Sequence, residues 1–108
     1  MLTKDFRIDS QKLRDSASGE ECTFNVAGVC SYDKETTVLC HSGEQDDGKG
    51  VGKKGSDLFA AFGCSRCHSF YDNKANSDEE RLFYFHRAMK RTWKRWIELG
   101  LIIIPSMK

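Results

Sequence analysis

The stretch "GCSRCHSFYD", residues 63–72, places Cys64, Cys67, His68 and Asp72 within nine residues. Two cysteines three positions apart can aim both thiolates at one soft cation, and structural zinc asks for four such ligands in a tetrahedron. Cys22 and Cys30, separated by seven residues, supply the other two if a hairpin between them returns one sulfur beside the other. Cys40 is the fifth cysteine and replaces Cys30 if that hairpin does not form. Cys-x-x-Cys-His is also a covalent haem attachment signature, and Cys-x-x-Cys a thioredoxin-like redox motif. Haem attachment would leave Cys22 and Cys30 without a role, and no alternating strand–helix pattern supports the redox motif. The preferred reading is a zinc ion held by Cys22, Cys30, Cys64 and Cys67.

One ion would not use the remaining groups. If Cys67 faces the zinc on a helix, His68 is turned about a hundred degrees away. Asp72 follows His68 at i+4, on the same face. An imidazole and a carboxylate at that spacing can hold a second, harder divalent ion such as Mg2+ or Mn2+. The plain alternative is an ordinary helix-surface pair. A third group, His41, ends the β-branched stretch "TTVLCH" and opens a glycine-rich loop, which leaves its ring accessible.

The elements that must position these groups are legible in outline. "CTFNVAGVC" alternates, with a turn at Gly28. "TTVLCH", residues 36–41, reads as a short strand, with Thr37, Leu39 and His41 on one face and Val38 and Cys40 on the other. Residues 42–56 hold five glycines and read as a flexible loop without a phosphate-binding pattern. "DLFAAFGC" follows as a short strand or turn, and a helix opens at Cys64. Ser77 and Glu80 form a capping box for a long helix reaching Leu99, where Gly100 stops it. Its apolar stripe is Leu82, Phe85, Met89, Trp93, Trp96 and Gly100, at steps of three and four. Trp93 and Trp96 are core residues in this reading, and His86 lies on the stripe as a partly buried structural histidine.

At 108 residues the chain is one domain by length, with residues 1–11 an N-terminal extension. Small domains bury limited surface and often need a metal to fold. Charge is uneven: residues 1–48 carry 5 basic and 10 acidic side chains, residues 49–108 carry 12 and 6. The basic half suits a polyanion. Lys49, Lys53 and Lys54 in the loop, and Arg87, Arg91 and Lys94 on the long helix, are the candidate phosphate contacts. Asp46 and Asp47 are solvated loop residues. The start is charged throughout, without a secretory core segment, and the longest apolar run is far too short to span a bilayer. These features place the chain in a reducing cytoplasm, where cysteine clusters usually mean metal. "LIIIP" near the end either packs internally or meets a second chain in a homodimer.

"SGEECTFNVAGVC", "ETTVLCH", "SDLFAAFGCSRCHSFYD" and "AMKRTWKRWIELGLI" together resemble the YbcO-like family of phage and prophage nucleases, within the wider HNH group. The resemblance covers about residues 12–104. It implies a small α+β, zinc-containing domain with a ββα-metal, treble-clef-like core and a long C-terminal helix. It implies metal-dependent endonuclease cleavage of DNA in a phage-infected or lysogenic host. By the same resemblance His41 is the general base, suited because imidazole exchanges its proton near neutral pH, and His68 and Asp72 hold the catalytic ion. Two departures stand out. Cys40 occupies the position before the base, where many HNH enzymes have a ligand-type residue. The asparagine that orients the base has no clear equivalent, and Asp57 lies in roughly that region, two residues too far from the cysteine pair. A non-catalytic zinc module that binds nucleic acid or a host protein is the alternative.

Overall fold

The computed structural model describes residues 7–44 and 55–106. Asp46, Asp47, Lys49, Lys53 and Lys54 lie outside these residues. In chain order the elements are α1 (Gln11–Asp15), a 3-10 turn (Lys34–Thr36), β1 (Val38–His41), β2 (Ala60–Gly63), α2 (Ser65–Asp72) and α3 (Asp78–Glu98). This is a small α+β domain with a two-stranded sheet and a long C-terminal helix.

β1 and β2 pair antiparallel, with Val38 opposite Gly63 and His41 opposite Ala60. Two strands alone are marginal in water, so both faces must be covered. Side chains alternate between faces, and the two opposed central pairs enter different cores. Cys40 and Ala61 join Phe24, Val26, Cys64, Cys67, Tyr71, Phe85 and Ala88. Phe62 joins Leu13, Ala17 and Trp96, with Leu39 packed alongside. Gly63 admits this packing, because a Cβ there would lie 2.7 Å from Cys40 Sγ and 3.0 Å from the Phe24 ring.

α3 begins and ends as its sequence directs. Ser77 Oγ accepts from the Glu80 amide at 3.1 Å. At the other end Gly100 takes φ +75°, and the amides of Gly100 and Leu101 donate to the carbonyls of Ile97 and Trp96. That double closure is a Schellman motif. The buried face centres on Phe85, Ala88, Thr92 and Trp96, with Leu82, Met89 and Trp93 half-buried. Thr92 is fully buried yet satisfied: its Oγ1 accepts from the Phe62 amide at 3.0 Å and meets Thr23 Oγ1 at 3.1 Å. Trp96 Nε1 donates to Ser16 Oγ, and Trp93 Nε1 to the Leu58 carbonyl. His86 departs from the expected stripe. It is exposed and pairs with Glu44 Oε1 at 2.8 Å.

The expected hairpin between Cys22 and Cys30 is absent. The segment turns back tightly, with left-handed backbone at Asn25 (φ 48°) and Gly28 (φ 74°). The Val26 carbonyl accepts from both Val29 and Cys30 amides. Phe24 and Val26 are both buried, so their alternation reflects one-sided packing of a turn, not strand pairing. At the C-terminal end Leu101 and Ile102 pack on the second core, while Ile103 and Ile104 are exposed.

Candidate metal centre and adjoining cleft

The turn at 22–30 and the start of α2 bring four sulfurs together. Cys22, Cys30, Cys64 and Cys67 present Sγ atoms that all lie within 4.8 Å of one another. Cys64 caps α2, its sulfur accepting from the Cys67 amide at 3.5 Å, and a helix N-terminus favours thiolate. Cys30 and Cys64 sulfurs are 3.9 Å apart. A tetrahedral zinc with Zn–S near 2.3 Å needs sulfurs about 3.8 Å apart, so the donor set fits the ion. Electrostatics asks for a cation as well. Cys22 is pulled down to about 4, chiefly by a hydrogen bond from the Cys67 thiol, and the same bond pushes Cys67 far up. One thiolate thus forms readily and opposes the next. Cys40 stands apart: it is buried, and burial pushes its thiol up, as suits a core residue rather than a ligand.

His41 closes β1, and its Nε2 lies 2.6 Å from Asp57 Oδ1. Asp57 has only 4% of its side chain exposed. Its other oxygen accepts from the Ser10 amide at 2.7 Å and from Arg14 Nη1. An ionised carboxylate only accepts, so Nε2 of His41 is the nitrogen that donates, and in the neutral form of the ring the lone pair falls on Nδ1. Gly55 lets the returning chain pass close by, since a Cβ there would lie 3.3 Å from His41 Cβ and 3.2 Å from the Ser42 carbonyl.

A cleft of about 410 Å³ is lined by His41, Glu44, Tyr71, Asp72, Lys74 and Arg81, among others. Tyr71 Oη accepts from the Gly43 amide at 2.9 Å, which ties α2 to the segment following His41. Arg81 donates from Nε to the Tyr71 carbonyl at 2.7 Å and lies over the Tyr71 ring. His68 and Asp72 pair at 3.2 Å, with 40% and 63% of their side chains exposed. Asp72 lines the cleft, whereas His68 does not. Among the described residues the sulfur cluster is the one group of three or more such donors close enough to share an ion. His41, His68 and Asp72 therefore do not form a compact trio. Arg87 and Arg91 bend to the Phe24 and Thr23 carbonyls, and Lys94 is exposed. Asp57 is the residue that sequence spacing undervalued. Its one signal was a lone carboxylate between a polar loop and an apolar strand.

A two-stranded sheet under a long helix, with a four-sulfur cluster beside a histidine-bearing cleft, defines a small α+β domain with a metal-type centre. Residues 11–101 match the family described as "Putative nuclease YbcO", and the chain belongs to that family. It is 34% identical over 96 residues to "Putative nuclease YbcO" of Escherichia coli K12, covering 83% of this chain and 95% of that protein. The same figures hold for "Putative nuclease ybcO" of Enterobacteria phage 82. A solved structure, a "putative bacteriophage protein" of Escherichia coli K-12, superposes with TM-score 0.67 at 31% identity, covering 82% of this chain and all of that one.

Proposed function

We propose that this chain is a phage-type, metal-dependent endonuclease that hydrolyses DNA phosphodiester bonds on an HNH-like, ββα-metal framework. The observation that carries the reading is the His41–Asp57 pair at the edge of a cleft that Asp72 also lines. His41 Nδ1 takes the proton from the attacking water, while Asp57 holds the ring and stabilises the imidazolium that results. A divalent ion held by His68 and Asp72 would offset negative charge developing on the phosphate. Two exposed protein ligands suit an ion that keeps several waters. Lys74 and Arg81 line the same cleft together with Glu44 and Asp78, and Arg81 is paired with Asp78 at 2.8 Å. Zinc on the four cysteines holds the 22–30 turn against α2 and so fixes the framework. No helix of the described residues is long and apolar enough to cross a membrane, and the chain's basic half suits a nucleic-acid partner.

The test is cleavage of plasmid and branched DNA with Mg2+, Mn2+ and other divalent ions in turn. The expected result is nicking that requires an added ion and is lost in Asp72→Asn. Absence of cleavage with every ion would overturn the reading. A second reading, a non-catalytic zinc module binding nucleic acid or a host protein, draws on Cys40, whose buried thiol replaces a ligand-type residue before the base. It predicts salt-dependent DNA binding with no cleavage, log affinity falling by roughly 0.9 per phosphate neutralised as log salt rises.

A further inference from the structure

We infer that residues 8–14 form a strap that positions the His41 imidazole through Asp57, with Arg14 and Ser10 as positioning residues. The inference rests on the nuclease reading for its consequence, though not for its geometry.

The strap is joined to the 56–57 segment at several points. The Ile8 amide donates to Ser56 Oγ at 2.9 Å, and the Asp57 amide donates to the Ile8 carbonyl at 2.8 Å. The Ser10 amide donates to Asp57 Oδ2 at 2.7 Å. Arg14, one turn along, bonds the same oxygen through Nη1 and reaches Asp9 with the same nitrogen. Ser10 also caps α1, its Oγ accepting from the Leu13 amide at 3.3 Å. Leu13 and Ala17 then anchor the helix in the second core beside Trp96. Strap and carboxylate are therefore set by one packing event.

A buried carboxylate with a single partner could swing about its χ2 torsion. Asp57 cannot swing without losing two bonds, because one oxygen is fixed by the strap and the other is left for His41. The charged groups at this carboxylate are Arg14 and His41, with Asp9 on the far side of Arg14. Arg14 offsets the Asp57 charge and so makes its burial tolerable. Ile8 and Ser10 precede residue 11, where the family match begins.

The consequence is chemical. With the strap in place the neutral His41 ring keeps its proton on Nε2 and its lone pair on Nδ1. With it loosened the ring rotates or exchanges tautomers, and fewer molecules hold a competent base. A positioning loss of this kind lowers kcat and leaves KM nearly unchanged.

The test uses the full chain carrying its zinc. Long-range 1H–15N correlation spectra of the histidine rings report which His41 nitrogen is protonated, and single-turnover and steady-state cleavage are measured in parallel. Arg14→Gln is expected to mix the two His41 tautomers and lower kcat about tenfold, with KM within about twofold. Arg14→Lys is expected to restore part of both. Should Arg14→Gln prove poorly folded, Ser10→Gly, which keeps the amide but frees the cap, is expected to give a smaller change of the same kind. A single unchanged Nε2-protonated tautomer in Arg14→Gln would overturn the strap, as would a loss confined to KM. The ring spectra decide this whether or not the protein cuts DNA. An inactive wild type would thus overturn the nuclease reading and leave the strap to be judged separately.

Discussion

The sulfur cluster and the His41 cleft lie on one small framework and are built on opposite plans. The cluster is closed: its four donors lie within 4.8 Å of one another, and two of them are fully buried. The cleft is open, and Asp72, which lines it, has 63% of its side chain exposed. Its histidine is steered by a carboxylate that is itself held from a distant part of the chain. Closed ligand sets contribute folding energy, whereas open ones leave room for water and substrate. On the proposed reading, the cluster supplies stability and the cleft supplies chemistry.

The sharpest break of that division comes from the cluster. Chelating the metal, or replacing Cys67 by Ser, is expected to unfold the domain, as read by far- and near-UV circular dichroism. Structural zinc supplies about 10–16 kcal/mol of apparent binding energy in small domains, against a typical net stability of about 5–15 kcal/mol. A chelated protein with an unchanged spectrum would remove the cluster from the folding role. Gly63→Ala comes next, because its Cβ would meet Cys40 Sγ and the Phe24 ring. Overpacking of this kind costs about 1–3 kcal/mol, and each kcal/mol lowers the melting temperature by about 4–8 °C in a domain near this size. An unshifted melting curve would mean that the pocket yields. The smallest stability effect is expected in the cleft. His68→Asn should lower the melting temperature by about 1–4 °C, since an exposed pair at i,i+4 contributes about 0.3–0.5 kcal/mol. It should nonetheless raise the divalent-ion concentration needed for cleavage. A variant with wild-type ion dependence would strike His68 from the ligand set.

The two regions also differ in how far their residues announced them. Cys64, Cys67 and the helix they open were legible because ligand spacing and N-capping are local rules. The four sulfurs that gather are those of Cys22, Cys30, Cys64 and Cys67, with Cys40 buried apart. The route differed: a tight turn with left-handed Asn25 and Gly28 replaces the expected hairpin, since alternation does not distinguish a strand from a turn packed on one side. The ends of α3 were fixed by the Ser77 box and by Gly100. Of its buried face Phe85 and Trp96 lay on the expected stripe, whereas Ala88 and Thr92, which carry little hydropathy, did not, and His86, one position from Phe85, is turned outward. Asp57 was hidden for another reason. Its bond to His41 spans 16 residues, and its bond to Arg14 spans 43. No periodicity reaches across the loop between them. The strap was hidden too, because it is made largely of backbone amides that any polar sequence could offer.

In the proposed function, His41 performs chemistry on a framework that zinc holds independently. DNA cleavage by His41→Ala, with zinc content and melting temperature measured on the same preparation, tests it most directly. Cleavage is expected to fall at least about a hundredfold, with one zinc per chain and a cooperative melting transition lowered only by the lost His41–Asp57 bond, about 1–3 kcal/mol. Cleavage at the wild-type rate would contradict it, as would loss of zinc or of fold along with activity.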